Sequence, residues 1–279
     1  MITFPCAKIN LGLNIVGIRD NGYHDIETVF FPIPITDKIE IHIKKEYFST
    51  NTDCSIELSG QKIAGNTEDN LVVKAYHLLK KDFQIPPIKI KLDKYIPTQA
   101  GLGGGSSDAA HMLKLLNDLF LLHLDTETMQ HYAAQLGADC AVFIKNTPAF
   151  ATGMGEILHP MPALTTILNR YFIAIVKPDV AVSTKEAYQQ IKVSKPKKSC
   201  NDIVAQPIET WKEDLINDFE VSVFQQHPIL KNIKQQLYQQ GAIYASMSGS
   251  GSALYGLFEK APKNLNNIFS DCFIKVISL

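Results

Sequence analysis

At 279 residues the chain is long enough for one large or two small domains and for a sizeable buried core. An apolar fraction of 46% beside 20% charged residues excludes an intrinsically disordered chain. A net charge of -1 excludes a protein built to coat nucleic acid, so any phosphate binding has to be local.

The five cysteines, Cys6, Cys54, Cys140, Cys200 and Cys272, are odd in number and widely spaced without a C-x-x-C, the pattern of reduced thiols rather than of disulfides or a zinc site. The first residues carry no basic n-region, and no apolar run approaches the roughly 18 residues needed to cross a bilayer. The chain reads as cytoplasmic, with no nucleic-acid or membrane partner.

Leu11 to Ile18 and Tyr23 to Phe31 are strand-like and flank Arg19-Asp20-Asn21-Gly22, whose Asn-Gly pair is a hairpin-turn signal. Lys38 to Ile43 continues the alternation, so the chain opens as a β meander. Lys8 stands just before the first of these strands; its ordinary reading is a solvated edge residue. Tyr23 and His24 follow the turn. An aromatic beside an imidazole suits a nucleobase, which has a π-face and a polar edge, and equally suits an ordinary hairpin surface.

Asn70 opens a helix to about Lys81, with Leu71, Ala75, Leu78 and Leu79 as its buried stripe and Glu68-Asp69-Asn70 as a capping cluster. Ile88 to Leu92 alternates apolar residues with Lys, as a half-buried strand does. Then comes Pro97-Thr98-Gln99-Ala100-Gly101-Leu102-Gly103-Gly104-Gly105-Ser106-Ser107, followed by Ala109, Met112, Leu113, Leu116 and Leu119 at helical spacing. The glycines therefore join a strand to a helix N-terminus, whose orphan amides and partial positive charge are what an oxyanion needs.

Glycines at 101, 103, 104 and 105 let those amides converge at close range, and Ser106 and Ser107 offer hydroxyls for a cap, a phosphate or a metal. No Gly-Lys-Ser/Thr follows, so this is not a Walker A loop. The dinucleotide fingerprint also fits badly, because Ser106 takes its last glycine position and the acidic residue expected later falls near Asp125, a helix cap. A nucleoside triphosphate is the better ligand; a flexible hinge is the plain alternative.

Asp125 caps a helix that Gly137 ends. Asp139 follows directly, in Gly-Ala-Asp-Cys-Ala-Val-Phe, where a carboxylate beside apolar residues needs a cation or a function, or else is a turn aspartate. Cys140 reads as a packed hydrophobe, since no base is placed to ionise it. The turn Gly153-Met154-Gly155-Glu156 marks a boundary and divides the chain into domains 1–153 and 154–279.

Beyond it, Tyr171 to Val176 is a buried strand, Ser183 to about Ile191 a helix carrying Tyr188, and the lysines of 192–198 a solvated loop. Pro228 opens a helix that Gly241 ends, and Ile243 to Ala245 re-enters a strand ahead of the small-residue loop Ser246-Met247-Ser248-Gly249-Ser250-Gly251-Ser252.

Pro97-x-x-x-Gly101-Leu102-Gly103 followed by Gly-Gly-Ser-Ser-x-Ala-Ala resembles the glycine-rich motif of the GHMP kinases. Three more stretches are similar to that superfamily and come in its order: Ala7-Lys8-Ile9-Asn10-Leu11 with Gly22-Tyr23-His24; Leu136-Gly137-Ala138-Asp139; and Ser248-Gly249-Ser250-Gly251. The resemblance implies an α+β, two-domain GHMP kinase fold, with a ribosomal protein S5 domain 2-like N-terminal domain and a ferredoxin-like C-terminal domain. It implies ATP with Mg²⁺ as donor and, from the longer Gly-Leu-Gly-Gly-Gly-Ser-Ser form, an acceptor that is a cytidine diphosphate-linked methylerythritol of the non-mevalonate isoprenoid pathway.

By that resemblance Lys8 and Asp139 are catalytic, Asp139 taking the hydroxyl proton and Lys8 being its partner. Pro97 to Ser107 and Asn70 hold ATP. Asn10, Tyr23, His24, Tyr188 and Gly249 hold the substrate, the tyrosines stacking on cytosine and the histidine reading its edge. Ser107 is the candidate for the metal, and the molecule is a monomer or weak homodimer. Gln99 departs from the glycine usual there, and Cys140-Ala141 from Val-Pro or Ile-Pro; both put the local turn in question. A homoserine- or mevalonate-type kinase and a non-catalytic nucleotide-binding protein remain the alternatives.

Overall fold

The computed structural model describes residues 1–44, 53–63, 65–189, 191, 193 and 196–279. In chain order these form β1 (Ile2–Thr3), β2 (Cys6–Ile18), β3 (His24–Thr36), β4 (Lys38–Ile43), β5 (Cys54–Gly60), α1 (Leu71–Lys80), β6 (Ile88–Lys94), α2 (Gly104–Leu119), α3 (Thr126–Leu136) and α4 (Val142–Lys145). There follow β7 (Ala149–Thr152), β8 (Ile157–Pro160), α5 (Ala163–Leu168), β9 (Phe172–Pro178), α6 (Thr184–Gln189), α7 (Cys200–Val204), α8 (Trp211–Asp214), α9 (Phe219–Gln226), α10 (Pro228–Gln239), β10 (Tyr244–Met247), β11 (Leu254–Phe258), α11 (Leu265–Ile268) and β12 (Cys272–Ser278).

The chain divides into two compact units, each built from separated segments. One comprises Met1–Ala7, Ile35–Thr98 and Gly103–Asn146, the other Lys8–Pro34, Gln99–Leu102 and Thr147–Leu279. The expected division at 153/154 falls between β7 and β8, which share one sheet with β2 and β3.

In the first unit the sheet runs β1-β4-β6-β5, with β5 parallel to β6 and the other pairs antiparallel. The alternation predicted for β4 and β6 is observed: Ile39, Ile41, Ile88, Ile90 and Leu92 are buried while the lysines between them are not. Helices α1, α2 and α3 pack together. The buried face of α1 is Val72, Val73, Ala75, Tyr76 and Leu79, rotated from the expected stripe, since Leu71 and Leu78 are only half-buried. Both stripes satisfy the 3.6 period, and only packing against α2 selects between them.

The second unit contains two sheets, β2-β3-β7-β8 and the antiparallel β10-β11-β9-β12. The turn between β2 and β3 closes as the Asn-Gly pair foretold, with Gly22 at φ +81° and its N–H donating to Arg19 O at 2.9 Å. Strand β2 is longer than its alternation suggests and begins at Cys6, because its first ten residues are buried. Helices α9 and α10 set Phe219, Val223, Leu230, Ile233 and Leu237 into one core with Ala174 and Val176 of β9. Pro228 is the first residue of α10, and Gly241, at φ +92°, lies just past its end. Of the lysine-rich run, Lys192 and Lys195 lie outside the described residues, while Lys198 is exposed and pairs with Asp214 at 2.7 Å.

Candidate active site

Lys8, near the start of β2, is buried rather than solvated, at 2% exposure. Its Nζ donates to Asn10 Oδ1 at 2.6 Å and to the Gly101 carbonyl at 2.9 Å, and lies 5.2 Å from the centre of the Phe30 ring. Its own N–H donates to Leu102 O at 2.9 Å.

The carbonyl of Gly101 is shared, because Ser248 Oγ donates to it as well, at 2.8 Å. Ser252 and Ala253 N–H groups donate to the carbonyls of Gln99 and Ala100 at 3.3 and 3.0 Å, so residues 99–102 are laced to the small-residue loop 248–253. Gly101 has φ +72°, and a Cβ there would lie 1.8 Å from Ser248 O. Gln99 adopts φ +50°, the left-handed conformation that glycine takes freely. The turn therefore survives the departure from glycine.

From Gly103 onward the loop belongs to the first unit. Gly103, at φ +68°, caps α2, and Gly104 opens it; a Cβ on Gly104 would meet Ile96 at 2.9 Å and Lys94 Nζ at 3.2 Å. Beneath this turn lies a buried charge cluster that sequence reading missed. Lys94 Nζ donates to Asp37 and, at 2.7 Å, to Asp108. Asp37 also accepts from the N–H groups of Tyr95 and Ile96 at 2.6 and 2.8 Å. Burial holds the Asp108 carboxyl above the usual carboxylate range, and the Asp37 charge adds to this against the pull of Lys94. The cluster supports the strand that leads into the loop and the first turn of α2.

Ser107, the metal candidate, has no exposed surface. His111 Nδ1 donates to the Ser107 carbonyl at 2.9 Å and lies 3.4 Å from its hydroxyl. Burial pushes His111 down to about 4, so the ring is neutral. Ser106 is half-buried and Gly105 exposed, which leaves Ser106 as the hydroxyl of the pair with accessible surface. No cluster of three His, Cys, Asp or Glu side chains suited to a metal occurs among the described residues. A divalent cation here would take its ligands largely from phosphate oxygens and water, as Mg²⁺ commonly does.

Asn70 is the N-cap of α1, its Oδ1 accepting from Val72 N–H at 3.0 Å. Asp139 is half-buried in a 3-10 turn, Ala138–Cys140, directly after Gly137 ends α3. The apolar residues beyond it form the short helix α4. Cys140 is buried and pushed up to about 12 by that burial, which leaves it a packing residue.

In the second unit, His24 and Tyr188 pack with ring centres 4.6 Å apart and planes tilted by 31°, and Tyr188 meets Phe219 edge-on at 4.8 Å. Tyr23 is 61% exposed at the turn. Gly249 lies against the Asn10 side chain, 3.3 Å from a Cβ built on it. The fold thus brings Lys8, Asn10, Gly101 and Gly249 together, and separately His24 with Tyr188.

The family model for the GHMP kinases N terminal domain matches residues 70–153, and that for the GHMP kinases C terminal domain matches residues 204–274, together more than half of the chain. The chain belongs to the GHMP kinase family. The two-domain α+β architecture expected from the glycine motif is that of this family, and a GHMP kinase of this kind is a small-molecule kinase.

A 4-diphosphocytidyl-2-C-methyl-D-erythritol kinase of Bacteroides thetaiotaomicron is 56% identical over 259 residues, which cover 93% of this GHMP kinase and 92% of the relative. Another, from Bacteroides fragilis, is 52% identical over 273 residues, 98% of this chain and 97% of that one. The crystal structure of a 4-(cytidine 5'-diphospho)-2C-methyl-D-erythritol kinase superposes with a TM-score of 0.79 at 28% identity, covering all of both chains.

Proposed function

We propose that this GHMP kinase transfers the γ-phosphoryl group of ATP to the 2-hydroxyl of 4-diphosphocytidyl-2-C-methyl-D-erythritol, in the non-mevalonate isoprenoid pathway. The 56% identity, over nearly the whole chain, to a relative bearing that substrate in its name carries the reading. The His24 and Tyr188 rings support it, because a cytosine offers both a face for Tyr188 and a polar edge for His24, and an acceptor without a base needs neither.

Asp139 accepts the proton of the acceptor hydroxyl; the hydroxyl oxygen bonds to the γ-phosphorus, the bond from that phosphorus to the β,γ-bridging oxygen breaks, and ADP leaves. Lys8 holds the reacting oxygen and offsets the charge that develops on it. Residues 97 to 107 cradle the triphosphate and Asn70 borders the adenine. Asn10, Tyr23, His24, Tyr188 and Gly249 hold the cytidine substrate, Tyr23 closing over the base from its exposed turn. Mg²⁺ would neutralise phosphate charge, with Ser107 or the more exposed Ser106 as its protein hydroxyl; separate alanine variants of the two distinguish them by the Mg²⁺ dependence of turnover. The enzyme works in the cytoplasm as a monomer or weak dimer, without nucleic-acid or membrane partners. Among the described residues no helix is long and apolar enough to cross a membrane.

The test is ADP release from MgATP with the cytidine compound, the same diol phosphate lacking cytidine, homoserine and mevalonate. Turnover is expected with the cytidine compound alone, and Asp139→Asn lowers kcat by about 10²-fold or more. Turnover with homoserine or mevalonate instead would discard the substrate, and ATP binding without turnover on any acceptor would discard the kinase reaction.

A further inference from the structure

The stretch Asn217-Asp218-Phe219-Glu220 carries three polar side chains at the base of the second unit, and no motif in the sequence reading drew on it. Asn217 is 3% exposed and fully bonded: Nδ2 donates to Met247 O and to Gly249 O, both at 2.8 Å, and Oδ1 accepts from Phe219 N–H at 3.0 Å. Glu220 Oε1 accepts from Met247 N–H at 2.8 Å and from Ser246 Oγ at 3.1 Å, while its other oxygen pairs with Lys234 at 2.5 Å. Asp218 turns the other way, accepting from Ile15 N–H at 2.7 Å and from the Asn14 side chain at 3.4 Å, and its own N–H donates to Leu13 O at 2.8 Å.

Three residues of this four-residue stretch, Asn217, Asp218 and Glu220, therefore grip both sides of the lysine site. One grip is on β2, the strand that carries Lys8 and Asn10. The other is on the loop that presents Ser248 and Gly249. The two sides already meet, since Ser248 Oγ donates to Gly101 O, Asn10 N–H donates to Ser248 Oγ at 3.3 Å, and Lys8 Nζ bonds the same Gly101 carbonyl. An apolar side chain at 217 would leave the Met247 and Gly249 carbonyls and the Phe219 N–H without this partner, so the amide contributes to stability as well. What the amide adds is direction: its two N–H groups fix the carbonyls on either side of Ser248, and with them the aim of the serine hydroxyl.

We propose that Asn217 is a positioning residue for phosphoryl transfer, setting the loop at Ser248 and, through the shared Gly101 carbonyl, the place of the Lys8 ammonium, while Asp218 anchors the stretch to β2 and Glu220 anchors it to β10. The inference rests on the reading of Lys8 as a residue of the reaction. Loss of turnover in Lys8→Ala tests that reading, and comparison of the variants below with wild type tests this one.

Asn217→Asp keeps the shape but turns an oxygen toward two carbonyls; Asn217→Ala is the milder variant. Both are assayed alongside Ser248→Ala and the double variant Asn217→Ala with Ser248→Ala. The expected result is a kcat reduced at least tenfold in each single variant with the KM for MgATP within about threefold, and a double variant no slower than its slower parent, since both act through one loop. Hydrogen exchange in Asn217→Ala is expected to rise at least tenfold at the amides of 246–253, with those of β9 and β12 as in the wild type. Wild-type kcat in Asn217→Ala, losses that multiply in the double variant, or exchange that rises equally throughout the unit would each overturn the proposal.

Discussion

A methyl group on Gly101 would sit 1.8 Å from the carbonyl oxygen of Ser248, and backbone, not a flexible side chain, is what it would meet. Gly101→Ala must therefore move the loop that Lys8 and Ser248 both bond, and we expect kcat/KM to fall by about 10²-fold or more in steady-state assays, the scale associated with an ångström of misplacement. Gln99 is the opposite case. At φ +50° its backbone is held in a conformation that costs an L-residue about 1 kcal/mol. Glycine there relieves that strain but adds freedom to the unfolded chain. Gln99→Gly is expected to change the free energy of unfolding by no more than about 1 kcal/mol in a denaturant titration and to leave kcat as it was. The motif made the glycines legible as a strand-to-helix turn; the contact that Gly101 makes at closest range lies with a residue 147 positions away.

Helix α1 begins where the capping cluster placed it, because an Asn side chain satisfying Val72 N–H is a local event. Asn70 has two proposed duties, and they separate experimentally. Loss of the cap in Asn70→Ala lowers stability by about 1 kcal/mol in a denaturant titration; contact with adenine would add a rise in the KM for ATP. The face that α1 buries was not legible in the same way, since its apolar residues satisfy the helical period in more than one rotation. Asp139 presents a similar limit. Its place after the Gly137 cap could be read directly, but the short helix that follows is four residues long, too short for periodicity to tell from any buried apolar run.

At the scale of the molecule, buried titrating groups couple stability to pH. His111 is neutral in the fold because burial holds it down to about 4, whereas in the unfolded chain it titrates near 6.5. Between those values the unfolded chain binds the extra proton, so stability is lost as pH falls from about 6.5 toward 4, by about 3 kcal/mol at most. Asp108, raised by burial, works in the opposite sense, losing stability as pH rises through its folded value. The informative quantity is the difference between proteins: His111→Gln should show a shallower loss than the wild type between pH 6.5 and 4 in denaturant titrations, and an equal slope would refute the assignment. By itself the sequence determined several of the strands, the Asn70 and Asp125 caps, the hairpin turn and the strand-to-helix glycine turn, because each rests on interactions within a few residues along the chain. Only the tertiary structure decided that Lys8 is buried, that Asp37, Lys94 and Asp108 form one cluster, and that Asn217 grips the Ser248 loop. Those contacts join residues far apart in the chain, and which residues meet depends on the order in which strands pair in the sheets, a choice that no local period or spacing records.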